Sequence, residues 1–439
     1  MTTEHFPEEE YQRTIKRCLR CSVCKWIPQV QIKSYKYASA CPAIDMYDYH
    51  PYSGGGKIIL ALAYEMGRVK PSEELRDVVY RCTECGNCAI ACKYMNTLEP
   101  LEIIHKFREK LVKDGVGPMP QQKAYTEAMQ KVNNPYNEPH EKRMAWLPAD
   151  IKLDPDAKLL YYIGCTSSYR RKEMAIAAAR IMQEAGIAFN ILQDDEYCCG
   201  SPVLRTGNID IFKEQMNKNL DIIESKDIET IVFSCAGCYD TFTVDYPLHR
   251  KYNFKTMHTV EFFSELIDSG KLKLTKSIPV TATFHDPCHL GRNAERYEEW
   301  AGDEVKLMPL VTINIPPKPK RTGAKGVYDA PRNILRNIPG LKFVEMERNQ
   351  EYAYCCGAGA GVKSAFPEMA MRTAKTRVEE AEDTGAVILV SACPFCSTNL
   401  QDGMKESGSK LKYFDISELI LMALGLEPEK LKQATAEVA

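Results

Sequence analysis

Two stretches decide how this chain is read: DDEYCCGSP at 194–202 and EYAYCCGAG at 351–359, each built on Tyr-Cys-Cys-Gly. Both doublets keep the same company. The first has Cys165 upstream across 32 residues and the CAGC of Cys235 and Cys238 downstream across 35. The second has Cys288 upstream across 66 residues and the CPFC of Cys393 and Cys396 downstream across 36. The order single, doublet, C-x2-C is therefore repeated, and the second copy is longer mainly after its first cysteine. Ten cysteines in such register mark an internal duplication.

The surroundings repeat as well. KLLYYIGC and VTATFHDPC are short apolar runs ending at each first cysteine, and ETIVFSCAGC and GAVILVSACPFC end at each last pair. Between them RKEMAIAAARIMQEAG and FPEMAMRTAKTRVEEAEDTG carry apolar residues at helical spacing and close on glycine. Strands alternating with such helices predict parallel α/β units. Cofactors in these units gather beyond the carboxyl ends of the strands, where the cysteines fall. A helix beginning just after each C-x2-C is expected to turn its positive end toward an anionic group.

Working outward, the amino-terminal third holds the other eight of the 18 cysteines. CLRCSVC supplies Cys18, Cys21 and Cys24, and Cys41 follows after sixteen residues. CTECGNCAIACK supplies Cys82, Cys85, Cys88 and Cys92. Triplets at x2 spacing with a fourth ligand from elsewhere follow the bacterial ferredoxin pattern, in which fourth ligands are exchanged. On that template Cys18, Cys21, Cys24 and Cys92 hold one cubane [4Fe-4S] cluster, and Cys82, Cys85, Cys88 and Cys41 hold the other. The chain departs from the template at the distant Cys41 and at Lys93, where a proline is usual. Structural zinc draws its ligands as pairs and fills four positions, which suits neither the triplets nor the five-cysteine sets.

The remainder sets bounds. A chain of 439 residues suits roughly three domains, and a net charge of -2 with 26% charged residues gives no pull toward nucleic acid. The stretch MTTEHFPEEEYQRTIKRCLR starts acidic where a secretory signal needs positive charge and then an apolar core. KIILALAYEMG, the longest apolar run, is too short to span a bilayer. A cytoplasmic protein without direct membrane insertion is expected, or one peripheral to the inner face of a membrane complex. SGGGK at 53–57 lacks Walker spacing, and GAGAG at 357–361 follows a cysteine doublet, so neither supports nucleotide or flavin binding. In HDPCH, Pro287 argues against a zinc helix carrying His285 and His289, and His289 is a candidate proton carrier.

The tandem cysteine sets, with HDPCHLGR, YDAPRNILRNIPG and CCGAGAG, resemble the catalytic part of heterodisulfide reductase. The upstream triplets resemble its small ferredoxin-type subunit. Together, over roughly residues 10 to 425, they look like the fused form of the two, the D-subunit-like family of heterodisulfide reductase, and its relatives in sulfite-reduction-linked and benzoyl-CoA reductase complexes. The resemblance implies a helical ferredoxin-type domain over 1–150, followed by duplicated parallel α/β CCG domains over 151–275 and 276–439. It also implies two noncubane [4Fe-4S] clusters. One is on Cys165, Cys198, Cys199, Cys235 and Cys238, and the other on Cys288, Cys355, Cys356, Cys393 and Cys396.

The implied function is that of an iron–sulfur electron-transfer component of a larger anaerobic redox complex, with thiol or disulfide chemistry at the noncubane clusters. The alternative is a pure relay, with the chemistry on a partner such as an aromatic-CoA reductase or a membrane quinone-linked complex. Expected partners are a flavoprotein, a ferredoxin-type protein or a membrane cytochrome or quinone subunit. All 18 cysteines are taken as ligands, and no side chain is singled out as catalytic. One region departs from the family: an extension near 295–326 with Lys318, Lys320, Arg321 and Lys325. It is expected as a solvated loop or as a docking arm beside the second noncubane cluster.

Overall fold

The structure, a computed structural model, describes residues 6–308 and 311–426. The start of the amino-terminal stretch and residues 427–439, the end of the last expected domain, lie outside the described residues. The amino-terminal third is helical: α1 (Glu8–Ile15), α2 (Pro42–Tyr47), α3 (Gly54–Glu65), α4 (Glu73–Tyr80), α5 (Asn87–Lys93), α6 (Pro100–Lys113) and α7 (Pro120–Val132). Its cysteines stand at helix edges: Cys41 at the N-cap of α2, and Cys88 and Cys92 within α5. Tyr11, Ile58, Val79, Phe107 and Leu111 form its core, which continues onto Val362, Phe366 and Met369 in the carboxyl-terminal half.

Two parallel sheets follow, as the alternating pattern predicts. The first contains β1 (Leu159–Tyr162), β2 (Thr230–Phe233) and β3 (Lys255–His258) in that order, with Leu160 opposite Ile231 and Ile231 opposite Thr256. Its helices are α8 (Cys165–Tyr169), α9 (Lys172–Glu184), α10 (Ser201–Leu204), α11 (Ile209–Glu224), α12 (Ala236–Asp240) and α13 (Thr259–Asp268).

The second half begins with β4 (Thr281–Phe284) and the hairpin β5 (Asp303–Met308) and β6 (Val311–Ile315). It continues through α14 (Asp329–Asn337), β7 (Lys342–Val344), α15 (Val362–Ala365), α16 (Pro367–Glu382), β8 (Ile388–Ser391), α17 (Pro394–Ser407), β9 (Lys412–Asp415) and α18 (Ile416–Leu424). Its main sheet has the order β7-β4-β8-β9, all parallel. β1, β2 and β3 thus correspond to β4, β8 and β9. The place of β7 is held in the first half by a single parallel bridge between Leu160 and Asn190.

The halves interlock. α13, which closes the first half, packs on α14 of the second, and α18, which closes the second, packs on α9 of the first. One apolar core consequently runs through both sheets, from Leu160 and Phe233 to Leu389 and Leu419.

Two expectations change in detail. The helices at the C-x2-C motifs begin inside them, with Cys235 and Cys393 as N-caps of α12 and α17. Each last cysteine therefore lies in a first helical turn. The extension forms the exposed β5–β6 hairpin where an irregular loop or arm was expected. Lys318 pairs with Glu304, Arg321 with Glu102 and Lys325 with Glu298, so its cations are largely spent within the chain.

Candidate iron–sulfur sites

The strand ends deliver the cysteines. β1 runs into Cys165, β2 into Cys235, β4 through His285 into Cys288, and β8 into Cys393. The doublets enter from loops, and the following glycine explains their form: Gly200 and Gly357 have φ of +85° and +92°. A Cβ would strain that backbone and at Gly357 would stand 2.5 Å from the Ala370 carbonyl oxygen.

In the first half the Cys198 thiol contacts those of Cys165 and Cys199, Cys199 contacts Cys238, and Cys238 contacts Cys235. The second half repeats the chain, with Cys355 against Cys288 and Cys356, Cys356 against Cys396, and Cys396 against Cys393. Hydrogen bonds from Cys198 and Cys238 hold Cys199 well below the ordinary thiol range, and those from Cys355 and Cys396 do the same for Cys356. Soft, thiolate-prone donors of this kind suit iron–sulfur ligation. The halves meet where Cys235 contacts Cys393. All ten cysteines line one cavity of about 510 Å³. No described residue of the extension lines it.

The amino-terminal cysteines form two further groups. Cys24 neighbours Cys18 and Cys21, and Cys92 neighbours Cys24 and Cys21. Cys41 neighbours Cys82 and Cys85, and Cys88 neighbours all three. The SGGGK stretch lies between the groups. Ser53 caps α3 by accepting from the Gly56 amide at 3.0 Å, and the Gly55 amide donates to Cys24 Sγ at 3.2 Å. A Cβ on Gly54 would stand 2.9 Å from Cys88 Sγ, and one on Gly55 3.1 Å from Cys24 Sγ. These glycines therefore let a helix amino terminus approach both thiol groups, a role their failed Walker spacing did not suggest. Lys57 is buried among Cys41, Cys82 and Cys88 and donates to the Tyr52 carbonyl. Burial pushes its ammonium down, while the Cys82 and Cys41 thiolates oppose that shift. Clustered thiols, a glycine cradle and a buried cation fit an anionic cluster.

The histidines diverge, as Pro287 predicts. His285 and the thiols of Cys356 and Cys396 present ligand atoms within 4.8 Å of one another. Arg377 Nε donates to His285 Nδ1 at 3.0 Å, which leaves Nε2 to carry the ring's proton in the neutral form. His289 lies on the cavity wall and bonds through Nδ1 to Asp240 at 2.5 Å. Asp240 also accepts from Arg205 at 2.9 Å, and Arg205 reaches Asp245 at 2.6 Å. Burial works against the imidazolium, but the Cys288 thiolate and Asp240 outweigh it and raise His289 to about 9.

Sequence reasoning missed the buried arginines. Arg143 donates to Cys165 Sγ at 3.5 Å and pairs with Glu196, whose carboxylate accepts from the Ile163 and Gly164 amides at 2.9 and 2.8 Å. Arg292, in the quoted HLGR, donates to the Cys85 carbonyl at 2.5 Å. It also missed that the Cys85 thiol contacts Cys355, which joins the second amino-terminal group to the second doublet. Glu196 is two residues before a cysteine doublet, a signal within reach; the partners of Arg292 are too distant in sequence.

Comparison with known proteins follows these lines. The cysteine-rich domain family matches residues 159–243 and 282–401, and the 4Fe-4S dicluster domain family matches 14–96. The D subunit of the dihydromethanophenazine:CoB–CoM heterodisulfide reductase of Methanosarcina barkeri is 37% identical over 418 residues, covering 93% of this chain and 94% of that protein. The B subunit of the fumarate reductase (CoM/CoB) of Methanothermobacter marburgensis is 28% identical, covering 94% of this chain and 74% of its own. A crystal structure of a hypothetical protein from Helicobacter pylori shares the fold at a TM-score of 0.51 and 10% identity, covering 87% of this chain and 70% of that one. Among the described residues no helix is long and apolar enough to cross a membrane. The chain belongs to the D-subunit family of heterodisulfide reductase and is an iron–sulfur oxidoreductase component.

Proposed function

We propose that the 18 cysteines hold two cubane and two noncubane [4Fe-4S] clusters, and that the paired five-cysteine sets carry disulfide and thiol redox chemistry for a larger complex. The proposed organisation is 1–150 for the cubane pair, 151–275 for the first CCG domain and 276–439 for the second. The ligand sets are Cys18, Cys21, Cys24 and Cys92; Cys41, Cys82, Cys85 and Cys88; Cys165, Cys198, Cys199, Cys235 and Cys238; and Cys288, Cys355, Cys356, Cys393 and Cys396. One observation carries the reading: both five-cysteine sets open on the same cavity and touch through Cys235 and Cys393. Its volume is within the range of small-molecule sites and is shared between cofactor and substrate.

Bound clusters supply single electrons. Cleaving one disulfide to two thiols takes two electrons and two protons, and a duplicated site offers one face to each sulfur. The walls hold the substrate between Tyr125, Tyr136 and Phe395, while Asp240 and Arg205 fix His289 at the edge. The relay alternative uses the same wiring with no substrate in the cavity.

The partner is a redox protein with an acidic face. Residues 16–44 carry Lys16, Arg17, Arg20, Lys25, Lys33 and Lys36 and not one acid. The same segment exposes Cys21 and displays Leu19, Val30 and Tyr35, which are 65%, 80% and 100% exposed. Lys36 is paired, but Lys16, Arg17, Arg20 and Lys33 make no ion pair among the described residues. Unpaired charge around an exposed centre steers a complementary partner.

Anaerobic purification with iron, sulfide and zinc counts tests the loading. About sixteen irons are expected from four four-iron clusters, and a count near eight or zinc in place of iron overturns it. An EPR signal of the oxidised protein that depends on added thiol supports the disulfide chemistry, and its absence favours the relay.

A further inference from the structure

The first cysteine of each CCG half has an arginine beside it, Arg143 from the amino-terminal region and Arg292 from the second half itself, but only Arg143 is neutralised by a carboxylate. Arg143, at Cys165, pairs with Glu196, and both are 1% exposed. Arg292 is 3% exposed, and the titratable groups acting on it include the thiols of Cys85, Cys288 and Cys355 and the Tyr328 phenol. Its bonds go to main-chain carbonyls alone: Cys85 at 2.5 Å, Glu351 at 3.0 Å and Ala353 at 2.8 Å. Its Nη2 is buried without a hydrogen-bond partner, and it makes no ion pair among the described residues.

An ionised guanidinium does not settle in a protein interior without an opposite charge. The acid that neutralises its counterpart has no equivalent here. Arg292 stands beside two groups of thiols, one from the amino-terminal region and one from the second CCG half. They are joined by the contact between Cys85 and Cys355. Three carbonyls fix the guanidinium at that junction, with one nitrogen unengaged.

Resting on the cluster loading proposed above, we infer that Arg292 is an electrostatic positioning residue. It serves as counterion to the Cys41/Cys82/Cys85/Cys88 and Cys288/Cys355/Cys356/Cys393/Cys396 groups and makes the second CCG set the more easily reduced of the two. A fixed buried cation stabilises the more negative, reduced state of whatever it faces, and net charge and burial are among the determinants of cluster potential. In the first half Glu196 cancels that effect. The near-symmetric duplication is thereby made electrically unequal at Arg292, on the side whose doublet touches the amino-terminal Cys85.

The test is an EPR-monitored redox titration of the full chain, purified anaerobically, with iron counted in every sample. Arg292→Gln removes the charge, Arg292→Lys keeps it, and Glu196→Gln uncovers Arg143. With iron retained, R292Q is expected to lower the reduced-to-oxidised ratio of the highest-potential noncubane signal at least tenfold at a fixed potential. For one electron that is about 59 mV. R292K is expected to stay within threefold of the unaltered protein, and E196Q to raise the lower-potential signal and narrow the gap.

R292Q with full iron and an unmoved midpoint overturns the inference. So does R292K moving as far as R292Q, because geometry and not charge would then be responsible. If R292Q loses iron, E196Q decides: a narrowed gap supports the charge argument, and an unchanged gap overturns it. Failure of the loading itself is separately visible, as an iron count far below about sixteen before any substitution is made.

Discussion

The two CCG halves have one plan and two environments. β1, β2 and β3 repeat as β4, β8 and β9, and each doublet stands in the same chain of thiol contacts. At the first half the amino-terminal region brings a neutralised cation and main chain: Arg143 stands at Cys165 paired with Glu196, and the Asn133 carbonyl accepts from the Cys198 amide. The second half meets amino-terminal cysteines themselves: Cys355 touches Cys85, Arg292 bonds the Cys85 carbonyl, and Met369 and Ala370 belong to the amino-terminal core. Duplication thus supplied a near-symmetric cavity, and the amino-terminal thiols touch one side of it.

On the proposed loading, the largest expected effect comes from removing one doublet cysteine at a time. Cys199→Ser and Cys356→Ser are each expected to lose one four-iron cluster, taking the count from about sixteen to about twelve. If the halves are independent sites the two variants lose equal iron. The contact of Cys85 with Cys355 sharpens this: C356S is expected to disturb the EPR signal of the adjacent cubane as well, and C199S to leave it unchanged. Iron analysis with EPR of the reduced protein checks both, and an identical cubane signal in both variants would break the comparison.

Backbone strain gives the next largest effect. Gly200 and Gly357 share a left-handed conformation, so alanine costs about 1 kcal/mol or more at either. Their surroundings differ. A methyl at Gly200 meets the edge of the Phe212 ring at 2.9 Å, whereas at Gly357 it meets the Ala370 carbonyl oxygen at 2.5 Å. A ring can shift, but a carbonyl in a packed helix cannot without moving α16. Gly357→Ala is therefore expected to be worse than Gly200→Ala by roughly 1–2 kcal/mol, read from denaturant midpoints of anaerobic protein. Equal losses would show that α16 yields as easily as the ring.

Much of this was legible in the sequence. The cysteine spacing and the apolar runs before it are local patterns, and they predict the duplicated parallel units because strand ends fix where a following residue must lie. What escaped depends on distant pairs. Nothing near HLGR announces that Arg292 bonds Cys85, and Arg143 and Glu196 look like two ordinary surface charges until β1 brings Cys165 between them. The packing of α13 and α18 across the halves is also hidden, since the apolar face of either helix also suits its own sheet. SGGGK was read against one motif, and its use as a close approach to Cys24 and Cys88 appears only once both groups stand beside it.

The smallest effect tests a second contrast, between two basic segments. The extension carries Lys318, Arg321 and Lys325 on ion pairs with Glu304, Glu102 and Glu298, whereas Arg17, Arg20 and Lys33 make no ion pair among the described residues. A cation already paired contributes little to the field seen by an approaching protein, and exposed charge is screened beyond about 10 Å at 0.1 M salt. With a small acidic [2Fe-2S] ferredoxin as reductant, the triple variant R17E/R20E/K33E is expected to be reduced about tenfold more slowly at low salt, and the rate of the unaltered protein to fall with added salt. Lys318→Glu is expected to change that rate less than twofold, because Lys318 is already paired with Glu304. Stopped-flow absorbance with dithionite as the control reductant separates docking from a damaged centre, since dithionite should reduce all three proteins at similar rates. A rate that ignores both salt and the triple reversal would remove the amino-terminal face as the docking site, and a large effect of K318E would move it to the hairpin.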